Sequence, residues 1–158
     1  VNSRVAALLL ATFLIDAQAA TVCRLVSGNS VAFGAYDILS SSPNDTLVSV
    51  DVACDRDGGP ANVSVNVGLN QGTNGTSVNA RRLARVGGGD YLAYGLYRDV
   101  GRSAVWGFSS GVDTVTHILN VPNKGTASTT FTIYGRMPAN QDVMAGSYSD
   151  TVQITVSP

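Results

Sequence analysis

Few residues in this chain carry reactive chemistry, and their spacing limits what they could do. Cys23 and Cys54 are the two cysteines, and His117 is the one histidine. A structural zinc site would set a second thiolate within about four residues of the first, and neither cysteine has one. His117 shares a face with Val115 and Leu119, the setting of a structural histidine held in a strand. A hydrolytic triad also needs a nucleophile and an orienting acid, and the Ser and Asp residues are scattered. Asp55, Asp57 and Gly58 open like a calcium loop, but no Glu closes it at the right offset. We expect no catalytic residue, cofactor site or metal ligand, and so no enzyme.

The cysteines have a simpler use. In an exported chain they meet oxidising conditions, and a Cys23–Cys54 disulfide is the expected outcome. Closing that loop would restrict the unfolded chain by roughly 3–4 kcal/mol on the chain-entropy model.

Three other residues are candidate surface contacts. Arg81 and Arg82, with Arg85, form the one basic cluster, and Trp106 stands beside Phe108. Each has a plainer reading: arginine stems covering apolar surface at an edge, and a tryptophan packed in a core. Tyr91, Tyr94 and Tyr97 could line a sugar-binding face, but alternation separates Tyr94 from the other two. Arg98, Asp99 and Arg102 suggest a local ion pair around a turn.

Composition restricts partners further. Charged residues are 13% of 158, and the formal net charge is −1. That gives no electrostatic footprint for nucleic acid or an anionic membrane surface. The first residues differ in kind from the rest. Arg4 precedes an uncharged apolar run, Val5 to Ile15, and Ala17-Gln18-Ala19 supplies small residues at a cleavage site. Residues 1–19 therefore read as a secretory signal peptide. The run is short of the about 20 residues that span a bilayer, so no membrane anchor is expected after cleavage. Residues 20–158 read as one domain, with no internal repeat.

What would position these groups is a set of strands. Val22 to Val26 is the first candidate, and Val31-Ala32-Phe33 is a short apolar piece ended by Gly34. From Leu47 to Cys54, Val48, Val50, Val52 and Cys54 share a face. Val63, Val65, Val67 and Leu69 alternate with Ser64, Asn66 and Gly68. Tyr91 to Arg98, Ala104 to Phe108, Thr114 to Asn120 and Thr126 to Tyr134 follow, and Gly135 to Ser147 reads as a connection. Val152, Ile154 and Val156 alternate with Thr151, Gln153 and Thr155 in a closing strand. No stretch has sustained helical period, so the expected fold is an all-β sandwich. The closing strand is an unfinished edge unless something pairs with it.

Several stretches, in order and spacing, carry a family resemblance. They are Val31-Ala32-Phe33-Gly34, Arg81-Arg82-Leu83, Tyr94-Gly95-Leu96-Tyr97-Arg98-Asp99 and Val105-Trp106-Gly107, then Tyr134-Gly135-Arg136-Met137-Pro138 and Ala145 to Val152. From about Cys23 onward the chain resembles the spore coat protein U domain, which is similar to the pilins of the archaic chaperone–usher pathway. The resemblance implies an incomplete immunoglobulin-like β-sandwich lacking its final strand. It implies a periplasmic chaperone that lends a strand, an usher, and neighbouring pilin subunits that replace that strand. The donor-strand groove would then run beside Val152, Ile154 and Val156. The protein would be secreted, passing through the periplasm to the cell surface or a pilus. A donating subunit needs an extension before its first strand. Cleavage after Ala19 leaves only Ala20, Thr21 and Val22 before Cys23, so we expect an acceptor alone, as at a filament tip. The alternative is an extracellular adhesin or coat protein that binds a surface or glycan through its loops.

Overall fold

Alternating valines decide the architecture, because each run buries one face and leaves the other wet. The computed structural model describes residues 20–27 and 30–158. Among these, the chain forms nine strands: β1 (Thr21–Ser27), β2 (Asn44–Arg56), β3 (Ala61–Leu69), β4 (Arg81–Arg85), β5 (Tyr91–Tyr97), β6 (Val115–Val121), β7 (Thr126–Met137), β8 (Tyr148–Ser149) and β9 (Ile154–Ser157). The expected signal peptide, residues 1–19, lies outside the described residues.

Two sheets result. One has the order β1-β2-β7-β5-β4-β8, the other β6-β3-β9, and every pairing is antiparallel. Val50, Val52, Phe131 and Ile133 face inward from the larger sheet, and Val63, Val65, Val67 and Leu69 from the smaller one. Each such side chain contributes roughly 1.5–3 kcal/mol when fully buried. The result is the all-β, immunoglobulin-like sandwich expected from the sequence.

Cys23 and Cys54 sit opposite each other in the β1–β2 register and are joined by a disulfide, with Cα atoms 4.0 Å apart. Cys54 is fully buried, so the bond ties edge strand β1 to the core. His117 stacks on Phe131 at 4.2 Å, and its Nδ1 lies 2.9 Å from the Thr129 hydroxyl. That is the structural role its position suggested.

Some boundaries differ from the sequence reading. β7 runs on to Met137, because Met137 is buried and pairs with Asn44 at the start of β2. Residues 104–108 form no strand beyond a single bridge, Tyr97 to Val105. Val31-Ala32-Phe33 is not a strand either. Side chains of β2 hold it instead: Thr46 Oγ1 donates to Ala32 O at 3.0 Å and Asn44 Nδ2 to Ala35 O at 3.0 Å. Asp99 accepts from the Ser103 and Ala104 amides, while Arg102 pairs across the sheet with Asp45 at 3.3 Å. The ion pair around that turn is thus not the local one expected.

Candidate functional site

β9 has one strand partner among the described residues. Leu69 pairs with Ile154 and Val67 with Val156, and no described strand is hydrogen-bonded to the other side of β9, although β1 passes near it. Val152, Ile154 and Val156 alternate with exposed neighbours and remain only half-buried. Val152 precedes the strand proper, which begins at Ile154.

A cleft opens at the start of this strand, where Val152 and Ile154 line it. It has two hollows, of about 810 Å³ and about 250 Å³. Val31, Phe33, Leu83 and Asp150 line both, so the hollows run together. One wall is the irregular stretch from Ser30 to Ile38. The other runs from Val143 through Asp150 to Ile154. Leu92 and Met137 line the larger hollow, and Leu69, Leu96 and Ile133 the smaller. These five side chains also belong to the buried core. The cleft is therefore a place where the sandwich interior reaches the surface.

Close packing sets the first wall. The Phe33 ring meets Tyr94 edge-on at 5.8 Å. A Cβ at Gly135 would lie 2.9 Å from that ring and 2.9 Å from Thr46 Cγ2, so the β7 backbone can approach there only as glycine. Tyr36 donates its hydroxyl to Pro138 O at 2.7 Å and accepts from the Gln141 amide at 3.0 Å. Gln141 also continues the bonding of β5 past the end of β7, accepting from Ala93 N and donating to Ala93 O. The Val31-Phe33-Gly34 stretch was legible as apolar. Its role as a cleft wall was not, because that depends on contacts over a hundred residues away.

The second wall is fixed by polar contacts. Asp90 accepts from the Met144 amide at 2.6 Å and the Tyr148 hydroxyl at 3.0 Å. The Met144 amide, then those of Tyr91 and the Tyr148 hydroxyl, hold the Asp90 carboxyl below the usual range. Asp150 accepts from Tyr94 at 2.6 Å and from the Asn74 backbone and side-chain amides, each at 3.0 Å. Burial, then the bond to Asp150, pushes the Tyr94 phenol far above its ordinary pKa, so it remains the donor. Sequence reading gave neither aspartate a role. Both are short acceptors set among turn residues, and pattern alone does not say which distant segment they will hold.

Two of the candidate surface contacts are corrected. Arg81 is 1% exposed. Its guanidinium donates to the carbonyls of Leu69 (2.8 Å), Asn70 (2.7 Å) and Trp106 (2.7 Å), and also to Val78. Trp106 is also 1% exposed, and its Nε1 donates to Val67 O at 2.9 Å. Both are core residues, because β3 ends in carbonyls that need donors and the crossing strand supplies an arginine to meet them. Arg82 differs. It is half-buried, donates to Asn74 O at 2.6 Å and lies over the Tyr91 ring at 4.0 Å. The three candidate contacts therefore do not come together as one surface.

Comparison with known proteins gives a consistent picture. Residues 9–155 match the family model described as the Spore Coat Protein U domain. "Protein U" of Myxococcus xanthus is 32% identical over 136 residues, covering 82% of this chain and 72% of that protein. A solved structure is similar in fold, with a TM-score of 0.56 and 21% identity over 86% of this chain. It is the CsuC–CsuE chaperone–tip adhesion subunit pre-assembly complex from archaic chaperone–usher Csu pili of Acinetobacter baumannii. This chain spans 39% of the chain it matches there. With a model match over most of its length and a relative of that identity, the chain belongs to the spore coat protein U domain family.

Proposed function

We propose that this protein is a structural subunit of a chaperone–usher type pilus or surface coat, assembled by accepting a strand from another polypeptide. The observation that carries the reading is the cleft at the start of β9, lined by half-buried Val152 and Ile154, together with the side of β9 that has no strand paired to it among the described residues. A strand laid there would pair its main chain with β9. It would also place alternate side chains over Leu69, Leu96 and Ile133. A periplasmic chaperone would supply that strand first, an usher would mediate exchange, and a neighbouring subunit would supply its replacement. Val152, Ile154 and Val156 are the residues we assign to the acceptor edge. No catalytic role enters this reading.

Residues 1–19 act, on this reading, as the export signal, and the protein reaches the cell surface or a pilus through the periplasm. β1 is already paired with β2 from Thr21 onward. Cleavage after Ala19 therefore leaves no free arm ahead of β1, and the mature subunit accepts a strand without donating one. That suits a tip position or a coat built with other subunits.

The test is recovery. The exported chain should be soluble and folded with a chaperone, or with a donor segment fused after Pro158. Without either it should aggregate, since an open edge invites pairing with other chains. A stable monomer obtained alone would remove the reason for a donor.

Adhesion is a second reading, and one observation favours it: connecting segments expose apolar side chains, with Leu39 89% and Val112 73% exposed. Trp106, being buried, has no part in it. Leu39→Ser and Val112→Ser should weaken attachment of assembled material to an apolar surface without reducing assembly.

A further inference from the structure

The wall that carries the acceptor edge is not itself held by a sheet along its whole length. Between β8 and β9, residues 150–153 are outside any strand. What holds them is the loop after β3. Thr73 N donates to Thr151 O at 3.0 Å, Asn70 N to Gln153 O at 3.1 Å, and Gln153 N to Asn70 Oδ1 at 2.9 Å. Asp150 is the side chain that joins this loop to the cleft. One carboxylate oxygen takes both Asn74 amides, and the other takes the Tyr94 hydroxyl. Gly72 lets the loop come this close, because a Cβ there would meet the carboxylate.

Apolar side chains that face each other across the cleft favour its closing. Phe33, Leu83 and Leu96 line it from one side and Val152 and Ile154 from the other, and contact between the two sets would remove apolar surface from water. Moving the wall inward would strip Asp150 of its donors and leave a carboxylate and a phenol unsatisfied beside the apolar lining. We propose that Asp150 is a positioning residue that braces the acceptor wall, keeping the cleft open and β9 in register until a strand arrives. This rests on the strand-accepting function proposed above. Tyr94 and Asn74 are its anchors, one on the cleft floor and one in the loop.

The experiment compares amide hydrogen exchange in the exported chain refolded at high dilution, as wild type, Asp150→Ala and Tyr94→Phe. Each is measured alone and with a synthetic peptide of about ten alternating valine and threonine residues. In the chain alone, Asp150→Ala, which removes three hydrogen bonds to one carboxylate, should speed exchange at the amides of residues 151–154 by more than about tenfold, the scale of a single lost charged hydrogen bond. Amides of β3 and β7 should keep their protection, and the peptide should restore that of 151–154. Tyr94→Phe, which keeps the ring and removes one donor, should give the same local change at smaller size, and decides the matter should Asp150→Ala not fold. Exchange unchanged at 151–154, or raised equally across the core, would overturn the brace. Failure of the wild-type chain to take up peptide counts instead against strand acceptance, and the exchange pattern of the unfilled chain still decides the brace.

Discussion

The Arg81 guanidinium donates to the backbone carbonyl of Trp106 at 2.7 Å, inside the core. The same group reaches Leu69 and Asn70, so one side chain gathers the end of β3 and the segment after β5 around β4. Removing it as Arg81→Ala would leave these carbonyls buried without donors, at about 1–3 kcal/mol each. We expect a loss of at least about 3 kcal/mol, read from urea unfolding of the donor-fused chain. Arg81→Lys should recover only part of it, because an ammonium cannot span the same carbonyls as a planar fork. A loss within about 0.5 kcal/mol, typical of a surface substitution, would return Arg81 to the surface role its sequence suggested.

The disulfide makes a separate prediction. β1 is an edge strand with Val22 and Val26 exposed, and Cys23 reaches the fully buried Cys54 from it. The paired substitution Cys23→Ser with Cys54→Ser should cost about 2–4 kcal/mol. Most of the effect should appear as early exchange in β1. Equal urea midpoints in the oxidised and reduced protein would show that β1 needs no such tie.

Much of this was legible beforehand. Val63, Val65, Val67 and Leu69 announced β3 because a period of two buries one face without further information. Cys54 fell on the inward face of β2 for the same reason. Arg81 did not read as core, since arginine is rarely buried and nothing local marks which carbonyls it will satisfy. Alternation marked Val152, Ile154 and Val156 as the closing strand, and the cleft meets that stretch at Val152 and Ile154. Its far wall, from Ser30 to Ile38, was not, because that stretch follows no period and is held by Thr46, Asn44 and Pro138 across the fold.

Acid should loosen the molecule in a defined direction. Asp45 is held below the usual carboxylate range by its bond to Arg136, with Arg102 adding to it. Asp90 is held down chiefly by the Met144 amide, and Asp99 by the Ala104 and Ser103 amides. Each folded-state pKa lies below its unfolded value. The stabilisation is therefore complete above about pH 4 and is lost as pH falls through the depressed values. The stability of the donor-fused chain should be insensitive to pH from neutrality to about pH 4 and fall steeply below it. Asp45→Asn should lower stability at neutral pH and flatten the acid limb. A steeper acid limb in that variant would mean the sign is wrong.

The acceptor edge can be tested by a difference between two states. Val152, Ile154 and Val156 are half-buried in the chain as it stands, so truncation to alanine should cost each of them only part of a full core value. If an incoming strand covers that edge, the same substitutions remove side chains that have become fully buried. Ile154→Ala should then cost about 2–5 kcal/mol in the donor-fused chain, and roughly half as much in the chain released from its chaperone at high dilution. The gap between the two measures the surface that the strand hides, independently of how the fold itself responds to the loss. Thr155, which alternates outward and is exposed, should show no gap when changed to alanine. Equal costs for Ile154 in both states would mean that the strand binds elsewhere on the molecule, and β9 would have to be read as an ordinary edge.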